Sequence, residues 1–161
     1  MRRTRFDQDQ CPIARTTDLL GDWWTPMVMR SAFFGCRRFE EFQSTLGVSR
    51  TTLTQRLNRL VDEDMLQRVP YQNNPVRYEY RATVKGREFF DVIAAMWTWG
   101  DRWMFEGGSE GPGGLLRMAD RESGETIVPV VVDERSGQRI DLRKIRIRRK
   151  SSDMTPVGSG G

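Results

Sequence analysis

Thr51, Gln55 and Asn58 stand three or four residues apart, and each side chain offers both a donor and an acceptor. At that spacing they share one side of a helix, where they can bond base edges and phosphates in a DNA major groove. Arg50, Thr52, Thr54, Arg56 and Arg59 flank them. The opposite side carries Leu53, Leu57, Leu60 and Val61, so residues 49–64 read as an amphipathic helix with Ser49 as its N-cap. A solvated surface helix also has a polar face, although Glu and Lys usually dominate there. The neighbouring elements have to decide between the two.

Other chemistry is scarce. The chain has 161 residues and no histidine, which removes the commonest general base and metal ligand. There is no phosphate-binding glycine loop, nucleophile elbow or spaced ligand cluster. Cys11 and Cys36 are too few for a disulfide framework or a metal site. The expectation is a non-enzyme without cofactor or metal. A formal charge of +4, from 26 basic and 22 acidic residues, is compatible with a polyanionic partner. Nearly all the basic residues are arginine, which suits bidentate contacts, though a GC-rich genome produces the same bias. Residues 1–10 are polar and no apolar run is long enough for a bilayer, so a cytoplasmic protein is expected.

The elements around the polar helix follow from pattern. Pro12 opens a first helix over 12–20, closed by Gly21. Thr25 and Pro26 suit the N-cap and first turn of a core helix running to Gly35. A third helix spans 38–46, and Gly47, Val48 and Ser49 form a tight turn into the helix 49–64, as in a helix-turn-helix. A strand over 65–71, turn residues 72–75, and alternation of Val76, Tyr78, Tyr80 and Ala82 with Arg77, Glu79 and Arg81 predict a hairpin wing.

Residues 83–105 are expected to form one long helix. Phe89, Ile93, Met96, Trp97 and Trp103 line one face, and Trp99 widens it. That much apolar surface points to a dimer interface, completed by Ile13 on the first helix; cover from residues 106–150 of the same chain is the alternative. The sequence thus divides into a winged helix-turn-helix domain (1–105), a Gly-rich linker (106–114), a β-rich appendage (115–150) and a disordered Gly/Ser tail (151–161). The appendage would hold strands over 115–119, 126–132 and 139–147, separated by turns at 122–124 and 135–137. The fold class is mainly α, α+β.

Several motifs now fall in order: Cys11-Pro12-Ile13-Ala14-Arg15-Thr16 with Asp18-Leu19-Leu20-Gly21, Trp24-Thr25, Arg37-Arg38-Phe39 with Glu41-Phe42, and Leu53-Thr54-Gln55-Arg56-Leu57. Leu60, Tyr71, Val76-Arg77-Tyr78-Glu79-Tyr80, Thr83, Gly86-Arg87 and Trp99-Gly100 continue the series. Over residues 11–103 the chain resembles the HxlR-type bacterial transcription regulators, winged-helix proteins related to the MarR group.

The resemblance implies a homodimeric repressor on a short inverted repeat of double-stranded DNA, with recognition helices roughly 34 Å apart. Arg50, Thr51, Thr54 and Gln55 would read bases. Arg56, Asn58, Arg59 and Arg77 would take phosphate or groove contacts, with Asn73 and Asn74 at the wing tip, although Arg56 could instead pair with a carboxylate. Cys11 matches a position that senses oxidants or electrophiles in some members, and an unidentified effector would act there or elsewhere. The last segment resembles a zinc ribbon of longer members, with Ser123, Asp133 and Ser136 where thiolates would be needed, so no zinc is expected. The alternative to a DNA reader is a protein-interaction module that keeps the winged fold.

Overall fold

Leu53, Leu57 and Leu60 are almost wholly buried, and the rest of the first unit is arranged around them. The computed structural model describes residue 6 and residues 9–106 and 116–145, and the chain divides after residue 115 into two compact units. The expected linker, apart from Glu106, and the expected tail lie outside the described residues. The first unit runs α1 (Pro12–Leu20), α2 (Trp24–Phe33), α3 (Phe39–Leu46), α4 (Arg50–Asp62), β1 (Leu66–Asn73), β2 (Val76–Ala82), α5 (Val84–Glu88) and α6 (Phe90–Trp103). Its core joins Val28, Met29 and Ala32 of α2 to Phe42 of α3, the α4 leucines, Met65, Leu66 and Tyr80. No described helix is long and apolar enough to cross a membrane.

Local chemistry sets the turns that aim α4. Gly47 closes α3 in the left-handed region (φ 62°), where a side chain would be strained. Val48 is buried beneath the turn, and Ser49 Oγ accepts the Thr52 N–H at 3.2 Å. Glu41 closes the other end of α3, accepting the Arg37 and Arg38 N–H groups at 2.7 and 3.0 Å. Those two backbone bonds hold its pKa below the ordinary value.

The expected cap of α2 is corrected. Thr25 lies inside the first turn and is buried. Asp22 supplies the cap, its Oδ1 accepting the Trp24 and Thr25 N–H groups at 2.9 and 3.1 Å. A carboxylate two or three residues upstream outcompetes a short threonine hydroxyl because it takes both amides and carries charge.

β1 and β2 pair antiparallel from Leu66–Ala82 at the base to Asn73–Val76 at the tip, with an irregularity between Pro70 and Gln72. β1 therefore extends two residues beyond the predicted strand. The expected half-buried alternation of β2 holds only at its base: Tyr80 is buried, whereas Val76 and Tyr78 project from a hairpin that has left the helices behind. Arg38 bridges to Glu79, and Tyr80 N–H donates to the Arg37 carbonyl at 2.7 Å, which fixes the wing to the α2–α3 connection.

The single helix expected over 83–105 is two helices meeting at Phe89. α5 is stitched to the α4–β1 corner: Thr83 Oγ1 donates to the Asp64 carbonyl at 2.6 Å and Lys85 Nζ to the Glu63 carbonyl at 2.6 Å. Gly86 passes so close that a Cβ would sit 1.9 Å from the Met65 carbonyl oxygen. α6 follows a second demand, packing onto α2 with the Phe33 and Phe90 rings edge to face at 5.3 Å. One straight axis cannot meet both, and Phe89 and Ile93, each 7% exposed, are drawn into the first unit's own core. Both are thereby removed from the free apolar face predicted for them.

Among its described residues the second unit has no ladder of strands. Isolated bridges, Ala119 to Thr126 and Val132 to Arg139, replace the expected segments, and Pro129 denies the intervening stretch a backbone donor. Residue 115 and residues 146–147 of those segments lie outside the described residues. Two loops repeat the same bonding. Asp120 Oδ1 accepts the Glu122 and Ser123 N–H groups and the Ser123 hydroxyl at 3.0, 2.8 and 3.1 Å. Asp133 Oδ1 accepts the Arg135 and Ser136 N–H groups and the Ser136 hydroxyl at 3.1, 2.9 and 2.9 Å. Gly124 and Gly137 follow with φ of 73° and 66°.

Candidate nucleic-acid interface

The opening turns of α4 place Ser49, Arg50, Thr51, Thr54 and Gln55 in solvent while Leu53 and Leu57 anchor the other side. Thr51 and Gln55 make no side-chain hydrogen bond among the described residues, so their polar atoms are available. Thr54 Oγ1 donates back to the Arg50 carbonyl at 2.8 Å, which leaves an oxygen lone pair and a methyl group outward. Thr52 is partly buried and engaged with the Ser49 hydroxyl at 2.9 Å, a capping role. The Arg50 guanidinium lies 4.9 Å from the centre of the Phe39 ring, a stacking contact that restrains a flexible arm without using its forked donors.

Arg56 and Arg59 are turned inward: Arg56 takes the carboxylate partner that stood as its alternative, and Arg59 leaves its expected place among the phosphate or groove contacts. Arg56 Nη1 meets Asp22 Oδ2 at 2.5 Å; Arg59 Nη1 lies 3.5 Å from the same oxygen and its Nη2 donates to the Asp18 carbonyl at 2.8 Å. One carboxylate therefore caps α2 with one oxygen and holds α4 with the other. The sequence reading passes over Asp22; its fitness as a cap just upstream of Trp24 was the signal that could have found it. Asn58 is likewise engaged, its Oδ1 accepting from Arg68 Nη2 on β1.

At the wing, Asn73, Asn74 and Arg77 are exposed, and the Asn74–Pro75 peptide is cis. Gln72 Nε2 donates to the Asn74 carbonyl at 3.1 Å, closing the tip. The Arg77 side chain has no hydrogen-bond or ionic partner among the described residues. Arg38 stacks over Tyr71 at 4.5 Å and adds a cation between α3 and the wing that pattern alone did not single out. The site thus collects Thr51, Thr54 and Gln55 with Arg38, Arg50 and Arg77, and leaves Arg56, Asn58 and Arg59 as supports.

The remaining predicted residues lie elsewhere. Ile13, Trp99 and Trp103 are 71%, 59% and 64% exposed, Met96 is exposed, and Trp97 is half-buried with its ring edge-on to Phe34. Cys11 is exposed at the start of α1 and Cys36 is partly covered, 3.5 Å from the Thr45 hydroxyl; both are free thiols. Among the described residues no group of three or more His, Cys, Asp or Glu side chains is placed to hold a metal ion.

Comparison with known proteins agrees with this architecture. The family model described as HxlR-like helix-turn-helix matches residues 19–107. An uncharacterized HTH-type transcriptional regulator of Mycobacterium tuberculosis is 36% identical over 141 residues, spanning 88% of this chain and 85% of that protein. The crystal structure of PA1607, described as a candidate transcription factor, superposes with a TM-score of 0.80 at 32% identity, over 91% of this chain and 100% of that one. A second such structure, PA1374 from Pseudomonas aeruginosa, gives 0.61 at 34% identity, over 88% and 94%. A polar α4 anchored from inside and followed by a hairpin is the arrangement of a winged helix-turn-helix transcriptional regulator, and the chain belongs to the HxlR-like family.

Proposed function

We propose that this regulator binds an inverted repeat of double-stranded DNA as a homodimer and represses by occupying it. The observation that carries the reading is the pairing of Thr51 and Gln55, polar, exposed and unbonded, with a helix face locked by Leu53, Leu57 and Asp22. A rigid helix with free amide and hydroxyl groups near its start suits base reading in a major groove. Arg50, Arg38 and Arg77 would take phosphates, Ser49 and Thr52 would cap the helix beside the backbone, and Asn73 and Asn74 would enter the flanking groove. The dimer would form on Ile13, Met96, Trp97, Trp99 and Trp103, without Phe89 and Ile93. Cys11 opens the same helix as Ile13, so an oxidant or electrophile acting there would act on that dimer.

Selection from random duplex DNA followed by gel-shift at fixed salt tests this. A symmetric site is expected, and Thr51→Ala with Gln55→Ala should lower affinity for it by about 1–3 kcal/mol per lost base contact. Binding to unrelated duplex and its salt slope should stay unchanged. Equal loss on both duplexes would remove α4 from the role of reader.

A further inference from the structure

A cleft of about 440 Å³ lies between the C-terminal end of α2, β2 and α5, lined by none of the residues assigned to DNA. Arg37, Arg81, Arg87 and Glu79 line it together with Phe33 and Ala82, so three cationic residues share its wall with one anionic one. Two of the guanidiniums are held in the same way. Arg37 Nη1 donates to the Ala32 and Cys36 carbonyls at 2.6 and 2.9 Å, and Arg87 Nη1 donates to the Ala82 carbonyl at 3.0 Å. In each case Nε and Nη2 make no hydrogen bond among the described residues. That unused edge is the fork that meets a carboxylate or phosphate through two parallel bonds. On Arg81 the same edge is taken by Glu79 Oε1, with Nε at 2.9 Å, which leaves its Nη1.

We infer that this cleft is a binding site for a small organic anion, a carboxylate or phosphate head on an apolar single-ring body. The head would sit on the Arg37 and Arg87 forks, and the body against Phe33 and Ala82. Backbone anchoring fixes both guanidiniums before a ligand arrives, so little side-chain entropy is lost on binding. The volume falls within the range of small-molecule sites, and the wall sets the apolar surface of Ala32, Phe33 and Ala82 beside the arginines. A bare inorganic ion would leave the Phe33 wall wet.

Calorimetric titration of the full chain without DNA tests the site independently of the DNA reading. Benzoate and phenyl phosphate are the two head groups, and benzyl alcohol is the neutral control. Saturable binding of either anion is expected, weakened at least about tenfold in Arg87→Gln. Binding of one anion alone supports the site and identifies its head group. Because Arg87 also ties α5 to β2, a thermal melt accompanies that variant; if it melts early, Arg81→Gln, whose parent side chain bonds no backbone carbonyl, carries the test with a smaller weakening. Absence of saturable binding by either anion, equal binding of benzyl alcohol, or undiminished binding by folded variants would overturn the proposal.

Discussion

The two units hold their shape by different means. In the first, side chains from α2, α3, α4 and the base of the wing bury one another, and most of the residues that matter meet partners far away in sequence. In the second, almost every described residue is exposed, and two loops are each closed by an aspartate, a serine and a glycine within a few residues. Burial orients elements with respect to each other; local hydrogen bonds shape a turn and little beyond it. A recognition helix needs the first kind of order, because its outer atoms must be held to a fraction of an ångström. The difference teaches where mutational sensitivity should fall.

The sharpest test strikes the core. Leu57→Ala should cost about 2–5 kcal/mol in the thermal or denaturant unfolding of the first unit, since the leucine is wholly buried. A loss under about 1 kcal/mol would mean that burial is not what holds this unit. Asp22→Ala comes next, removing two amide caps of α2 and the inward partner of Arg56 and Arg59. About 1–3 kcal/mol of stability is expected to go, and DNA affinity with it, although residue 22 lies outside the proposed contact surface. Affinity equal to the parent would separate α4 orientation from this carboxylate.

The smallest effect belongs to the second unit. Hydrogen bonds from Ser123 and from Ser136 hold the pKa values of Asp120 and Asp133 below the ordinary 3.8. A depressed carboxylate contributes its stabilisation fully above the unfolded value and loses it as pH falls through the lower folded one. The Ser123 and Ser136 amide NMR signals should therefore titrate together below pH 3.8, and Asp120→Ala should abolish the first response alone. A midpoint at or above the ordinary value would show that the loops are not closed in solution.

What could be read from the chain tracks the same division of short and long range. The α4 face, its Ser49 cap and the Gly47 turn were legible because a 3.6-residue period and cap chemistry act within a few positions. The loops at 120–124 and 133–137 were half legible: their turns were read, but not that Asp120 and Asp133 close both in one way. For Arg56 a carboxylate partner was legible as an alternative but not which one, and Arg59 was read only as a phosphate or groove contact, because Asp22 stands more than thirty positions upstream and polar residues on a helix do not announce which way they fold. The break at Phe89 had no local mark either. It arises where the Thr83–Gly86 contacts and the α2 surface ask for different directions, and only the assembled core poses that conflict.

The double use of Asp22 has a consequence for genetics. A screen for regulators that no longer hold their operator would return changes at Asp22, Arg56 and Arg59 beside those at Gln55, and phenotype alone would sort none of them. Second-site suppressors would separate the classes. If Gln55 reads a base as proposed, a base change in the operator can restore pairing to an altered residue there, whereas the Asp22 group should be rescued only from inside the protein, by charge reversals exchanged among those three positions.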